Sequence, residues 1–216
     1  SLLIIAALAY AGVVAMMWLT QESQIFMPQP VRGNPVVPPG WTLEKVAITA
    51  ADGTPLAGVL ALPPGNPGSR PAAVLYFGGN AEEVSWLAST AGLYAGWSLL
   101  IVNYRGYGRS EGKPGEAELF ADALQIYDYA AGRAQGGRVA LMGRSLGSGV
   151  AVYLAAQRPV AGVILVSPYD SVESVARGIY PYLPIGLMLK HRFDSLSRAP
   201  QIKAPPSATR KFPRSS

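Results

Sequence analysis

Five residues, Gly143-Arg144-Ser145-Leu146-Gly147, constrain this chain more than any other stretch. They form a Gly-x-Ser-x-Gly pentapeptide between an apolar run, Arg138-Val139-Ala140-Leu141-Met142, and an Ala/Val-rich run from Ser148 to Gln157. The first run has the length and apolarity of a buried strand, and the second reads as a helix. A strand that passes directly into a helix must turn within a residue or two, and glycine tolerates the backbone geometry this needs. The serine at the apex then holds its hydroxyl clear of the main chain. Because the helix starts at that serine, its first N–H groups and its dipole favour the negative charge of an acyl-transfer intermediate. The plainer alternative is a glycine-rich turn with an incidental serine, and the strand–turn–helix context weighs against it.

The rest of the chain supplies a matching frame. Thr42 to Ala50 alternates Leu43, Val46 and Ile48 with polar neighbours, Asp52-Gly53 is a hairpin turn signal, and Leu56 to Leu62 returns. Short apolar runs of buried-strand type follow at Ala72–Phe77, Ser98–Asn103, Arg138–Met142 and Gly162–Val166. Helical patterns separate them. Ala81–Tyr94 places Val84, Leu87, Ala88, Ala91 and Tyr94 on one face, and Glu116–Ala131 is amphipathic through Leu119, Phe120, Ala123, Leu124 and Tyr127. Alternating strands and helices imply an α/β fold: a mostly parallel sheet opened by an antiparallel hairpin, with helices on both faces. Sites in such sheets lie beyond the carboxyl ends of the strands. The loops there are Phe77-Gly78-Gly79-Asn80, Tyr104 to Ser110, the Ser145 turn, and Ser167-Pro168-Tyr169-Asp170-Ser171.

Composition adds an appendage. Of 216 residues half are hydrophobic and only 14% are charged, low for a soluble domain. Leu2 to Leu19 carries no charge, and a helix of that length nearly spans a hydrocarbon layer of about 30 Å. Residues 1–20 read as a transmembrane anchor, with Trp18 at its interface. A cleaved signal peptide would have a shorter apolar stretch and a small-x-small cleavage site, which Met16 to Gln21 does not offer. A buried core helix is a third option. The chain begins at Ser1 rather than Met, so an upstream segment is expected. Residues 21–41 read as a linker, where Pro28, Pro30, Pro35, Pro38 and Pro39 forbid regular structure. From Gln201 onward Lys203, Arg210, Lys211 and Arg214 are basic and nothing is acidic, so this tail supplies four of the five excess positive charges. No basic, aromatic-interleaved patch in the body suggests a nucleic acid. With no cysteine and one histidine, thiolate and His-cluster metal sites are excluded, and no cofactor is expected.

The quoted pieces, in order, resemble the α/β-hydrolase superfamily, and more narrowly the membrane-anchored serine hydrolases of the Bem46/ABHD13-like, S33-like type. They are the apolar anchor, Phe26-Met27-Pro28, Tyr76 to Ala81, Asn103 to Gly112, Gly143 to Gly149, Ser167 to Ser171, and Arg192-Phe193-Asp194-Ser195. The resemblance covers residues 20 to 205. It implies that Ser145 is the nucleophile in an elbow formed by Gly143, Arg144 and Gly147. It puts the oxyanion donors at the backbone N–H groups of Leu146 and of the Gly78-Gly79-Asn80 loop, at Asn80 foremost and Gly79 beside it. It assigns residues 171–195 to a cap whose apolar stretch, Tyr180 to Leu187, suits a small-molecule or lipid-like acyl substrate. Arg105 and Arg109 are expected in packing and loop shape, with contact to an anionic substrate group as the alternative.

The resemblance breaks near the end. The superfamily places an acid and a histidine after its last two strands, and Pro206 to Ser216 has neither strand pattern nor those residues. The domain therefore reads as residues 42–205 of an incomplete fold, lacking the last two strands, with 206–216 a non-native-looking tail from a frame-shifted or artefactual end. Gly162–Val166 would then be a bare apolar edge. Asp170 is a candidate acid. His191, the only imidazole, is expected to be a surface or locally bonded side chain rather than the base. The reading is a serine hydrolase of an ester, thioester or amide, impaired in this chain. The alternative is a non-catalytic membrane-associated binding protein or inactive fragment on the same fold.

Overall fold

The computed structural model describes residues 1–65, 71–94 and 96–202. Helix α1 (Leu2–Ile25) leads through an irregular stretch into a six-stranded sheet of order β1-β2-β4-β3-β5-β6. Strands β1 (Thr42–Thr49) and β2 (Pro55–Leu62) pair antiparallel, from Thr42 opposite Leu62 to Thr49 opposite Pro55. Strand β2 pairs antiparallel with β4 (Ser98–Val102). From there β4, β3 (Ala73–Phe77), β5 (Val139–Arg144) and β6 (Gly162–Val166) run parallel. Every expected strand is present, within a residue or two of its expected ends.

Alternation along the central strands sorts two apolar layers. Ala73, Leu75 and Phe77 of β3 and Leu100 and Val102 of β4 face helices α2 (Glu116–Arg133) and α3 (Leu146–Gln157). Val74, Tyr76, Leu99 and Ile101 face the other way, onto Val84, Leu87, Ala88 and Ala91. Burying a side chain such as Leu75 or Leu141 contributes about 1.5–3 kcal/mol. The expected apolar face on the second side is therefore real. Its helix is not the α-helix expected over Ala81–Tyr94 but a 3-10 helix, Ser85–Leu93. The side chains of Glu82 and Glu83 are committed to the preceding loop and to Asn103 and Ser85, so residues 81–84 serve the loop instead of a first helical turn.

Two further departures matter. Helix α1 continues through Gln21 to Ile25, into the segment expected to be linker, because Gln21 is buried against the cap. The segment expected to form a cap, residues 171–195, contains α4 (Val172–Ile179) and the short α5 (Ile185–Met188), and the short α6 (Ser195–Arg198) starts at its end. Strand β6 is an edge of the sheet among the described residues, with Ile164 53% exposed. The expected non-native tail, residues 206–216, lies outside the described residues.

Candidate active site

Strand β5 ends and α3 begins at Ser145, whose backbone takes φ 50° and ψ −119°. Such a conformation costs a non-glycine residue about 1–3 kcal/mol and persists only where its surroundings fix it. Here the Ser145 N–H donates to the Val166 carbonyl of β6 at 2.9 Å. The Ser145 carbonyl accepts from the N–H and the hydroxyl of Ser148, at 2.8 and 2.6 Å. The elbow glycines have another task. Neither has positive φ. A Cβ on Gly147 would stand 2.1 Å from the Phe77 carbonyl oxygen, and one on Gly143 would stand 2.3 Å from the Gly147 carbonyl oxygen. The glycines let β5, α3 and β3 approach closely, and the serine carries the strain. Its hydroxyl is half-buried and makes no hydrogen bond among the described residues.

Beside it, the loop after β3 passes Gly79 within 3.8 Å of the Ser145 Cβ, measured from an ideal Cβ position. This loop is held from behind. The Gly78 carbonyl accepts from the Tyr104 hydroxyl at 3.0 Å, and the Gly79 N–H donates to the Glu82 carboxylate at 2.8 Å, so the 78–79 peptide is tied at both ends. The Asn80 carbonyl accepts from the Tyr107 hydroxyl at 2.6 Å and from the Met27 N–H at 2.9 Å. Between these fixed peptides lies the 79–80 unit, whose Asn80 N–H has no acceptor among the described residues. The Leu146 N–H, in the first turn of α3, has none either. The expected Gly79 donor is corrected: its N–H is already taken by Glu82.

Glu82 also ties the loop to the elbow. It is 9% exposed, accepts from the Tyr76 hydroxyl at 3.1 Å, and pairs with Arg144, the residue before Ser145, at 3.2 Å. Burial, and then the Glu82 carboxylate, push the Tyr76 hydroxyl well above the usual tyrosine range, so it stays a donor. Burial pushes Tyr104 up strongly and Tyr107 up to about 12, so both clamps keep their protons at physiological pH.

Neither the acid nor the imidazole of the sequence is hydrogen-bonded to Ser145 among the described residues. Asp170 is exposed, and its backbone carbonyl accepts from the N–H groups of Ser195 and Leu196 at 2.8 and 3.0 Å. No side-chain bond joins it to Ser145 or His191 among the described residues. His191 Nδ1 accepts from the Glu116 N–H at the start of α2 at 3.2 Å, and its ring packs edge-on against Phe26 at 5.1 Å. The imidazole thus bonds to the start of α2, 75 positions earlier in the chain. Arg105 is 5% exposed and grips Asp122 with two bonds of 2.7 Å, with Asp52 and Thr54 on its remaining face. Four of its five N–H donors are used in these bonds, which is packing. Arg109 lies on the rim of a cavity of about 450 Å³ bounded by residues 31–35 and the first hairpin, whose lining does not include Ser145. Among the described residues no cluster of three His, Cys, Asp or Glu side chains is placed to hold a metal.

Glu82, Tyr104, Tyr107 and Met27 were not anticipated in these roles. A signal for Glu82 existed: a carboxylate three residues after Gly79 has the spacing at which side chains bond back to backbone N–H groups.

A mainly parallel α/β sheet with a strained serine between β5 and α3 defines an α/β-hydrolase. The chain belongs to the serine aminopeptidase S33 family, whose sequence model matches residues 68–204, and within the α/β-hydrolases it is of the Bem46-like type. An uncharacterised protein of Mycobacterium tuberculosis is 38% identical over 210 residues, covering 93% of this chain and 72% of that protein. Protein bem46 of Schizosaccharomyces pombe is 29% identical over 164 residues, 72% of this chain and 54% of that one. Lysophosphatidylserine lipase ABHD12 of Gallus gallus is 32% identical over 133 residues, 54% and 34% of the two chains. Among solved structures, an α/β-hydrolase from Vibrio vulnificus superposes with TM-score 0.59 at 24% identity, over 74% of this chain and 60% of that one. An esterase from Pyrococcus furiosus does so with TM-score 0.59 at 21% identity, over 82% and 74%. The chain is thus shorter than these relatives, and the structural likenesses speak for the fold alone.

Proposed function

We propose that this chain carries the nucleophile half of a serine hydrolase acting on an ester, thioester or amide. Ser145 Oγ attacks the acyl carbon, the carbonyl oxygen gains charge between the N–H groups of Leu146 and Asn80, and the carbon–leaving-group bond breaks as the leaving group takes up the serine proton, giving an acyl-enzyme that water cleaves to the acid and free Ser145. The observation that carries this reading is the strained Ser145 turn beside a loop whose other polar groups are already bonded. The resemblance to a lysophosphatidylserine lipase and the apolar cap favour a lipid-like acyl group.

The same reading keeps α1 as a membrane anchor. It is 24 residues long and apolar enough to cross a bilayer. A leader removed during export would leave no contacts in the folded domain, whereas Tyr10, within the apolar stretch, is bonded to the Tyr182 carbonyl at 2.8 Å.

One observation favours a second reading, a non-catalytic or inactive protein on this fold: among the described residues no base is bonded to Ser145. Fluorophosphonate labelling and p-nitrophenyl ester hydrolysis decide between the two. The hydrolase reading expects both signals in the chain and neither in Ser145→Ala. Absence of both in the parent chain favours the inactive reading, and signals that survive Ser145→Ala remove Ser145 as the nucleophile.

A further inference from the structure

The cap contains a stretch that water does not suit. From Gly178 to Leu189, Gly-Ile-Tyr-Pro-Tyr-Leu-Pro-Ile-Gly-Leu-Met-Leu, twelve residues pass without a charged side chain. Its largest apolar groups point outward: Leu187 is 92% exposed, Tyr182 87% and Ile179 62%. Scattered single exposures are ordinary, but a continuous apolar patch marks a surface that meets something.

Its position relative to α1 says what. The Tyr10 hydroxyl donates to the Tyr182 carbonyl at 2.8 Å, and a shallow hollow is shared by Ala11, Val14 and Ala15 of α1 with Pro184, Leu187 and Met188 of the cap. Charged contacts begin only further along the helix. Lys190 Nζ lies 4.5 Å from the centre of the Trp18 ring and 3.2 Å from Glu22, and the Tyr180 hydroxyl donates to Gln24 at 3.2 Å. A tryptophan with a lysine over its ring, and a tyrosine about 9 Å further along, are the usual furniture of a membrane surface. Tyr10 is eight residues before Trp18, or about 12 Å toward the bilayer interior. The Tyr182 backbone is held at that depth.

Much of the backbone here is already internally bonded, although the Tyr182 and Gly186 N–H groups have no acceptor among the described residues. In hydrocarbon each peptide group needs an internal partner. The N–H groups of Tyr180, Leu183, Ile185, Leu187, Met188 and Leu189 all donate within the cap. Pro181 and Pro184 have none to satisfy, and the carbonyls of Tyr182 and Met188 accept from α1 side chains.

We propose that the tip of this stretch, Tyr182 to Leu187, enters the acyl layer of a phospholipid bilayer beside α1, with Tyr182 and Leu187 against lipid chains and the guanidinium groups of Arg177 and Arg192, which meet Gly186, at the headgroup level. The protein then meets the membrane through two elements, and the cap is a lipid-embedded one. The proposal rests on α1 being a membrane anchor, and its test separates the two. The chain has no cysteine, so Leu187→Cys, Tyr182→Cys, Ile5→Cys in α1 and Leu93→Cys on the 3-10 helix each accept one NBD fluorophore at an exposed position. The full chain is reconstituted in phosphatidylcholine vesicles with and without doxyl groups on the acyl chains. The expected result is quenching at 182, 187 and 5 at least threefold stronger than at 93. Quenching at 5 with 182 and 187 matching 93 overturns the proposal and leaves the anchor standing; the patch then faces water or a second copy. No excess quenching at 5 removes the anchor and the proposal together. Ser145 labelling on the same samples reports the hydrolase reading separately.

Discussion

The two halves of the expected site are built differently. Behind Ser145 and Asn80, Gly78, Gly79, Asn80 and Ser145 each have a named bonding partner, drawn from β4's following loop, from Glu82, from Met27 and from β6. On the acid–base side, Asp170 offers its carboxylate to water and His191 serves the first turn of α2. A charge-stabilising pair of N–H groups needs only backbone held in place, and short-range bonds within one sheet edge achieve that. An acid–imidazole–serine relay must converge from separate elements, and among the described residues it does not.

Three experiments test that contrast, taken from the largest expected effect. Gly147→Ala sets a methyl 2.1 Å from the Phe77 carbonyl oxygen, with main chain on both sides. It should cost about 3 kcal/mol or more and abolish Ser145 labelling; a melting temperature equal to the parent's would mean the elbow is not close-packed. Glu82→Ala removes the acceptor of a buried N–H, about 1–3 kcal/mol, and unties Arg144. It should slow Ser145 labelling roughly tenfold to a hundredfold, a fraction of what deleting an oxyanion donor costs. Glu82→Gln keeps an acceptor for Gly79 and should stay within about threefold, so equal losses in the two variants would assign the effect to charge instead of loop position. Last, His191→Ala and Asp170→Asn should leave the labelling rate within about twofold, with His191→Ala losing about 0.5–1.5 kcal/mol for its bond to Glu116. A collapse of labelling in either variant would bring that residue to Ser145 in the working protein.

The strands and α2 were legible because their burial patterns are local and periodic, and Gly-x-Ser-x-Gly announced its own turn. What the sequence concealed was tertiary. Nothing near Met27 signals that its N–H reaches Asn80, 53 positions away in the chain. Tyr104 and Tyr107 looked like loop aromatics, and only folding turns their hydroxyls onto Gly78 and Asn80. The 3-10 helix at Ser85–Leu93 kept the expected apolar face but lost α geometry, because Glu82 and Glu83 were drawn into the loop. Gln21 and Gln24 read as linker polarity until the cap supplied their partners.

The Met27 bond has a practical corollary. Helix α1 stops at Ile25 and Met27 already braces Asn80, so one residue separates the apolar helix from the brace of the loop beside Ser145. Anyone trimming the protein for expression in water should cut before Phe26: a version starting at Gly40, where the sheet domain begins by eye, would discard a prop of the very peptide that Ser145 depends on.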